Sequence, residues 1–133
     1  MKFVSIVTST RTEFVDITGL IKETVKENKW TDGVLYVYIP HTTAAITINE
    51  NADPSVRTDI LDALNKIVPY KGSYRHAEGN SDAHIKASLI GSSVMVIVEG
   101  GRLILGRWQG IFFCEFDGPR SREAYIYFNP RRE

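Results

Sequence analysis

The chain has 133 residues, of which 43% are hydrophobic and 24% are charged, proportions typical of one globular domain. Sixteen basic residues balance sixteen acidic residues, so no net charge favours nucleic acid or an anionic membrane as a partner. Cys114 is the only cysteine, which excludes an internal disulfide and a thiolate metal cluster. We therefore expect a single domain over residues 1–133 in a reducing cytoplasm.

The amino-terminal segment predicts a strand followed by a helix. In "FVSIVT", residues 3–8, Phe3, Ser5 and Val7 would share one face and Val4, Ile6 and Thr8 the other, a strand pattern. The segment lacks the apolar region and cleavage site of a signal peptide, and no apolar run reaches the roughly 20 residues that cross a membrane. Thr18 predicts the cap of a helix that ends near Asn28, because its hydroxyl can accept a backbone hydrogen bond.

Two strands and a second helix are predicted next. "VLYVYIP", residues 34–40, and "AAITIN", residues 44–49, are rich in β-branched or apolar residues, which favour strands. Asp53 followed by Pro54 predicts a helix start, since aspartate caps and proline suits the first turn. Apolar residues then recur at helical spacing as far as Ile67, as in an amphipathic helix.

The second half is mostly β. Asn80 or Ser81 predicts the cap of a short helix that runs to Ile90 and stops at Gly91. Four strand-like segments follow: "VMVIV", "RLIL", "GIFFCEF" and "EAYIYF". About seven strands and three helices, joined mostly by short turns, predict an α+β fold with a largely antiparallel sheet.

The three histidines are the first candidate site. His76 and His84 lie in "YRHAEGNSDAHIKA", beside Glu78 and Asp82, and His41 directly follows a predicted strand. Three imidazoles with one open position would suit a catalytic zinc-type ion. The alternative is that they are solvated or hydrogen-bonded histidines, because no HExxH signature is present.

Charged residues at the end of a covered strand are the second candidate. "EFDGPR" places Glu115 and Asp117 at alternate positions, with Arg120 beyond the turn. Such charges need a partner, an ion or an interface. An ion pair of Asp117 with Arg120 or Arg122 is the simplest alternative to a functional role.

"LGRWQG", residues 105–110, is the third candidate. Trp108 could stack on a planar ring to which Gln109 donates or accepts hydrogen bonds, a usual way to hold a heterocycle. Tryptophan is also enriched at protein interfaces, so both interpretations stay open.

Three blocks of sequence resemble the YjbQ family, also called the secondary thiamine-phosphate synthase family. They are "HTTAAITINENADPSV", "YRHAEGNSDAHIKASLIGSS" and "GRLILGRWQGIFFCEFDGPRSR", and the similarity runs from about Val4 to Phe128. Arg107 stands where the resemblance predicts threonine. The resemblance implies a compact α+β protomer, assembled as a homotrimer.

The resemblance also implies a metal-compatible cluster of His41, His76 and His84. Glu78 and Asp82 would then orient the imidazoles or act as general acid–base groups. Zinc or a similar divalent metal ion is favoured by the histidines, whereas magnesium would suit diphosphate chemistry.

The activity implied is thiamine-phosphate synthesis, in which a hydroxymethylpyrimidine diphosphate couples to a thiazole phosphate and releases pyrophosphate. For such a small-molecule substrate, Lys86 and Arg120 would bind phosphate oxygens and Trp108 would stack on a ring. One alternative is a metal-dependent hydrolase of a small phosphorylated or amide substrate, with Glu78 or Asp82 as general base. The other is a non-catalytic trimeric protein that binds a metal or ligand.

Overall fold

The structure, a computed structural model, describes residues 1–132. Within that range the helices are α1 (Thr18–Glu27), α2 (Pro54–Ile67) and α3 (Ser81–Ile90). The strands are β1 (Lys2–Val7), β2 (Glu13–Asp16), β3 (Gly33–Tyr38), β4 (Ala44–Glu50), β5 (Ser93–Glu99), β6 (Arg102–Leu103), β7 (Gln109–Glu115) and β8 (Ser121–Pro130). No helix among these residues is both long enough and apolar enough to cross a membrane.

The strands form two sheets. The larger sheet has the order β1-β8-β3-β5-β6 and the smaller has the order β2-β7-β4. Every pair of neighbouring strands is antiparallel. The predicted α+β class with an antiparallel sheet is therefore confirmed.

Strand β7 is the centre of a three-layer arrangement. Side chains of a strand alternate between its two faces. Ile111 and Phe113 join a core shared by both sheets and α1. Phe112, Cys114 and Phe116 join a second core against α2 and α3. The small sheet is thus buried on both faces, between the large sheet and the two helices.

The predicted start of α2 is confirmed and that of α1 is wrong. The Oδ1 of Asp53 accepts a hydrogen bond from the backbone N–H of Ser55 at 2.9 Å, as an N-cap does. Thr18 is the first residue of α1 rather than its cap. Its own N–H donates to Asp16 Oδ1 at 2.9 Å, and its hydroxyl oxygen accepts from Ile111 N–H at 2.8 Å. Asp16 therefore supplies the hydrogen-bond acceptor at the start of α1, a role that we predicted for Thr18.

Two further elements differ from the predictions. Strand β2 was not predicted, and it exists through its pairing with β7, in which Phe14 lies opposite Cys114. The "RLIL" segment forms a strand only over Arg102–Leu103. In α2, Leu64 is buried but Ile67 is 72% exposed, so the end of its apolar stripe faces away from the core.

The layered core predicts unequal effects of one substitution at two isoleucines. Ile111→Ala should lower the free energy of unfolding by about 2–5 kcal/mol, because it removes buried methyl groups and leaves a cavity. Ile67→Ala is the matched control and should change the free energy of unfolding by less than about 0.5 kcal/mol. Chemical denaturation measures both, and equal losses would contradict the assignment of the core.

Candidate functional site

A buried ion pair joins the two sheets where β7 ends and β8 begins. The Nε of Arg122 donates to Glu115 Oε1 at 2.9 Å, and its Nη2 donates to Oε2. Both side chains are almost fully buried. Because β7 and β8 belong to different sheets, this Glu115–Arg122 clamp fixes one corner of the fold.

Further hydrogen bonds surround the clamp. Thr8 Oγ1 donates to Glu115 Oε1 at 2.8 Å, and Asp117 N–H donates to Oε2 at 3.0 Å. Arg122 Nη2 donates to Thr43 Oγ1 at 2.9 Å. Burial raises the pKa of Glu115, but hydrogen bonds from Arg122, Asp117 and Thr8 outweigh it and leave the pKa below its ordinary value. The pair is therefore ionised and satisfied inside the protein.

His41 lies beside the clamp. Its Nε2 accepts a hydrogen bond from Glu123 N–H at 3.0 Å. Burial lowers the pKa of His41, and the positive charge of Arg122 lowers it further, so the ring is neutral at neutral pH. A neutral imidazole that accepts at Nε2 carries its proton on Nδ1. His41 can thus donate a hydrogen bond through Nδ1, and it ligates a metal through Nε2 only if it gives up the bond from Glu123.

His76 and His84 form a contact pair between the loop after α2 and helix α3. Their ring centroids are 5.3 Å apart and the rings are perpendicular. His76 Nε2 lies 3.7 Å from Glu78 Oε2, which allows an ion pair but is too long for a hydrogen bond. The predicted proximity of these histidines and Glu78 is present in the structure.

Two cavities meet at His84. One of about 520 Å³ is lined by His76, His84 and Arg75, among others. The other, of about 510 Å³, is lined by His41, His84 and Ser88, among others. Arg75 is a cation beside the histidine pair that the sequence analysis missed, although its position next to His76 in "YRHAEGN" was a signal.

The three histidines do not close into one shell within a single chain. Among residues 1–132, no three His, Cys, Asp or Glu side chains come close enough to hold a metal ion. The structure brings two predicted ligands together, His76 and His84. It places His41 across the second cavity from His84. The metal site stays a prediction.

Asp82 and Lys86 lie in a buried network that differs from their predicted roles. The two side chains are 0% and 1% exposed, and Lys86 Nζ is 2.9 Å from Asp82 Oδ2. Arg11 forms a bidentate pair with Asp82, at 3.1 and 3.0 Å, and Lys86 also donates to Asn65 at 2.8 Å. Burial raises the pKa of Asp82, but the hydrogen bonds from Arg11 and Lys86 lower it overall. Asp82 is thus a poor general base, and Lys86 is enclosed rather than open to a phosphate.

Trp108 and Gln109 lie at the other end of the small sheet from the clamp. Gln109 pairs with Glu50, whereas Glu115 pairs with Ala44. The seven residues of β4, at about 3.3 Å each, separate the two ends by about 20 Å. Trp108 is 54% exposed, and Gln109 Oε1 accepts from Gly106 N–H at 2.7 Å. One chain does not bring these two residues to the histidines.

Arg120 forms the ion pair that we gave as the simplest alternative. Its Nη2 donates to Asp117 Oδ2 at 2.9 Å, and Asn80 Nδ2 donates to the same oxygen at 2.9 Å. Arg120 N–H also donates to Thr8 Oγ1 at 3.0 Å. The Arg120 side chain is about half exposed, so it stays available at the clamp end of the molecule.

The clamp predicts a pH-dependent stability. The pKa of Glu115 is lowered in the folded state. Its contribution to the free energy of unfolding is therefore fully present above the ordinary glutamate pKa of about 4.3, and it is lost as the pH falls through the pKa of the folded state. Arg122→Met should lower the free energy of unfolding by about 3–5 kcal/mol at pH 7, because it leaves a buried carboxylate unpaired. The control Arg120→Met removes an exposed ion pair and should lower the free energy of unfolding by less than about 1 kcal/mol.

Urea denaturation between pH 7 and pH 3 measures these effects. In Arg122→Met the unpaired, buried Glu115 should have a raised pKa. Acidification toward pH 4 should therefore reduce the difference in free energy of unfolding between wild type and this variant. A difference that stays the same across this range would contradict the assignment of the clamp.

Comparisons with known proteins agree with this fold. A family model described as UPF0047 protein YjbQ-like matches residues 2–130. A UPF0047 protein of Methanocaldococcus jannaschii is 56% identical over 119 residues, covering 90% of this chain and 86% of the relative. YugU, a UPF0047 protein of Bacillus subtilis, is 52% identical over 127 residues, covering 95% and 96%.

Solved structures give the same result. The crystal structure of a YjbQ/UPF0047 family protein from Clostridium acetobutylicum has a TM-score of 0.94 and 54% identity, and the match covers 97% of this chain and 100% of that chain. A protein from Aeropyrum pernix has a TM-score of 0.93 and 36% identity, and the match covers 98% of both chains. The predicted resemblance is confirmed, and the chain belongs to the YjbQ-like UPF0047 family.

Proposed function

We propose that the two cavities meeting at His84 form a binding centre for a divalent metal ion and a small phosphorylated substrate. The observation that carries the proposal is the perpendicular contact of His76 and His84, at 5.3 Å between ring centroids. Converging imidazoles are the donors that zinc, nickel and similar ions prefer. Magnesium prefers oxygen ligands, so it suits this donor set less well.

In this proposal the ion is held by two imidazoles. His76 and His84 would hold it, and the predicted third ligand, His41, would join only after releasing Glu123 N–H. When bound, such an ion supplies positive charge that stabilises a leaving phosphate or diphosphate.

The chain's own residues supply orientation and a counter-charge around this pair. Arg75 lines the same cavity as His76 and His84, where a guanidinium can bind two phosphate oxygens at once. Glu78 lies within ion-pair distance of His76. It is the better placed of the two predicted carboxylates, because Asp82 already pairs with Arg11 and Lys86.

His41 holds a proton on Nδ1 that it can donate to a substrate oxygen. Arg120, which is about half exposed and paired with Asp117, is the second phosphate contact that the resemblance implies.

The reaction that the resemblance implies is the coupling of hydroxymethylpyrimidine diphosphate to thiazole phosphate. No protein nucleophile is needed, which agrees with the burial of Cys114. Burial raises the pKa of that thiol far above neutrality, so the reactive thiolate is absent. The alternative is hydrolysis of a small phosphorylated or amide substrate, with Glu78 as general base. The non-catalytic alternative is a trimeric protein that only binds the metal or ligand.

The metal site is tested by titrating untagged protein with zinc. We expect about one zinc ion per chain by calorimetry and elemental mass spectrometry, because two imidazoles converge. His84→Asn should abolish this binding, whereas Ser88→Ala, a change on the same cavity, should preserve it. If wild type takes up no zinc, nickel or cobalt, the metal site is wrong and the histidines are acid–base or structural groups.

The three functional hypotheses differ in one assay. Incubating the metal-loaded protein with the two thiamine precursors, together or singly, should give product only with both if the protein is a synthase. Release of phosphate or pyrophosphate from one precursor alone would instead show hydrolysis. Arg75→Gln should lower the rate by about tenfold or more, through loss of a charge-assisted contact. Background rates in all mixtures, with zinc bound, would favour the non-catalytic protein.

We also propose that the outer face of the large sheet is the surface through which a homotrimer forms. This outer face is defined by seven exposed apolar or aromatic residues, which alternate with the buried ones along β1, β3, β5 and β8: Phe3, Val7, Tyr36, Tyr38, Met95, Ile97 and Tyr127. A contiguous apolar patch of this kind marks an interaction site on a soluble protein. The number of three copies follows from the resemblance, and the cytoplasmic location likewise stays a prediction.

A charge on the outer face should separate the subunits. We expect Ile97→Lys to shift the mass in solution from three chains to one, because burying an unpaired ammonium is costly. Ile67→Lys, on the exposed end of α2, is the matched control and should leave the mass unchanged. Light scattering coupled to gel filtration measures both. A wild-type protein that runs as one chain would refute the trimer.

A further inference from the structure

A further cavity, different in character from the two at His84, lies between the end of α1 and the turn that joins β5 to β6. Its volume is about 550 Å³, within the range of small-molecule sites. We call it the basic pocket, and it is lined by Lys22, Val25, Lys26, Lys29, Trp30, Thr31, Gly101, Arg102 and Leu103. Neither the histidines nor Arg75 contribute to it.

The floor of the basic pocket is apolar and fixed. Val25 is buried, and Trp30 and Leu103 are partly buried against the main core. The Trp30 indole stacks on Phe128, with ring centroids 5.1 Å apart and planes 11° from parallel. A ring held in this way is ready to receive an apolar or aromatic group without losing much side-chain freedom.

The rim of the pocket is cationic. It carries Lys22, Lys26, Lys29 and Arg102, and none of them forms an ion pair with a carboxylate in residues 1–132. The lysines near the end of α1 also stabilise its dipole. That effect does not explain Arg102, which comes from a different element. Four cations around one cavity, in a chain of zero net charge, favour an anionic occupant.

Both walls of the pocket are held by backbone hydrogen bonds. At the end of α1, Trp30 N–H donates to Val25 O at 3.1 Å and Lys29 N–H donates to Lys26 O at 3.2 Å, the pattern of a Schellman motif. Lys29 occupies the left-handed position, with φ of 54°, which glycine usually fills. Opposite it, Gly101 N–H donates to Thr31 O at 2.9 Å. The cations thus lie on α1, on the turn that ends it and on β6, and these hydrogen bonds connect the two walls.

The basic pocket is at the far end of the large sheet from the histidines. Strand β3 pairs Gly33 with Val98 near the pocket and Tyr38 with Ser93 at the other end, just before His41. The six residues of β3, spaced by about 3.3 Å, separate these ends by about 17 Å. The pocket is therefore a separate site within one chain.

We propose that the basic pocket binds a small anionic molecule with a flat apolar body, such as an aryl or heterocyclic phosphate. The body lies on Trp30 and Leu103, and the phosphate is bound by Lys26 and Arg102, with Lys22 and Lys29 adding positive charge. The site is independent of metal binding at the histidines.

The test is a titration with 1-naphthyl phosphate followed by proton–nitrogen NMR. The chain has two tryptophans, so the spectrum contains an indole signal at the site, Trp30, and an internal control, Trp108. We expect a saturable shift of the Trp30 indole with little change at Trp108. Inorganic phosphate and neutral 1-naphthol should each bind at least about tenfold more weakly, because phosphate lacks the apolar ring and 1-naphthol lacks the charged group.

Charge-removing variants complete the test. Lys26→Gln and Arg102→Gln should each lower the affinity for 1-naphthyl phosphate by about tenfold and leave the affinity for 1-naphthol unchanged. Lys66→Gln, at an exposed lysine in the last turn of α2, is the control and should bind like wild type. Equal shifts at both indoles, equal binding of 1-naphthol and its phosphate, or equal loss in Lys66→Gln would overturn the proposal. Because no metal takes part, these results do not depend on the outcome at the histidine site.

Discussion

The buried pair of Glu115 and Arg122 is the interaction on which the arrangement of this protein depends. A buried ion pair is tolerated only when its remaining donors and acceptors are satisfied. Here Thr8 from the end of β1 and Thr43 from the segment before β4 provide that satisfaction. The ion pair therefore connects segments at the ends of four strands, from two sheets, at one corner. His41 is tied to the same corner through the backbone of Glu123.

The molecule has two chemically different ends, and this corner lies at one of them. The histidine end combines three imidazoles, the accessible guanidinium groups of Arg75 and Arg120, and two adjoining cavities. The opposite end combines lysines, Arg102 and an aromatic floor. Trp108 and Gln109 also lie away from the histidines, on the other sheet. A mechanism confined to one chain must therefore recognise its substrate at the histidine end without Trp108.

The periodic parts of the sequence predicted the fold, because burial of alternating or helically spaced apolar residues is a local signal. Strand β3 was found from its β-branched and aromatic residues, and the start of α2 from Asp53 and Pro54. Strand β2 was missed, since a four-residue segment with two charges becomes a strand only through its neighbour β7. Thr18 was misread because Asp16, two residues earlier, accepts the hydrogen bond that we gave to the threonine.

The site was predictable only where its residues are close in sequence. His76, His84 and Glu78 lie within one short segment, and the structure brings them together. From the sequence we expected Asp82 to orient the imidazoles or act as an acid–base group, and Lys86 to bind phosphate oxygens. Both residues are buried because Ala83 and Ala87 allow α3 to pack closely on the small sheet and because Arg11, 71 residues earlier, completes the network. No local pattern contains a partner at that separation.

In the proposed site, His76 and His84 bind a metal ion together, and a neutral His41 faces His84 across the second cavity. Nitrogen NMR of the three histidine rings, followed during pH and zinc titrations, tests this arrangement. We expect His41 to keep its proton on Nδ1 and to titrate below its ordinary pKa of 6.5, while one equivalent of zinc shifts the signals of His76 and His84 together. If His41 titrates at its ordinary pKa and zinc leaves the signals of His76 and His84 unchanged, this arrangement is wrong.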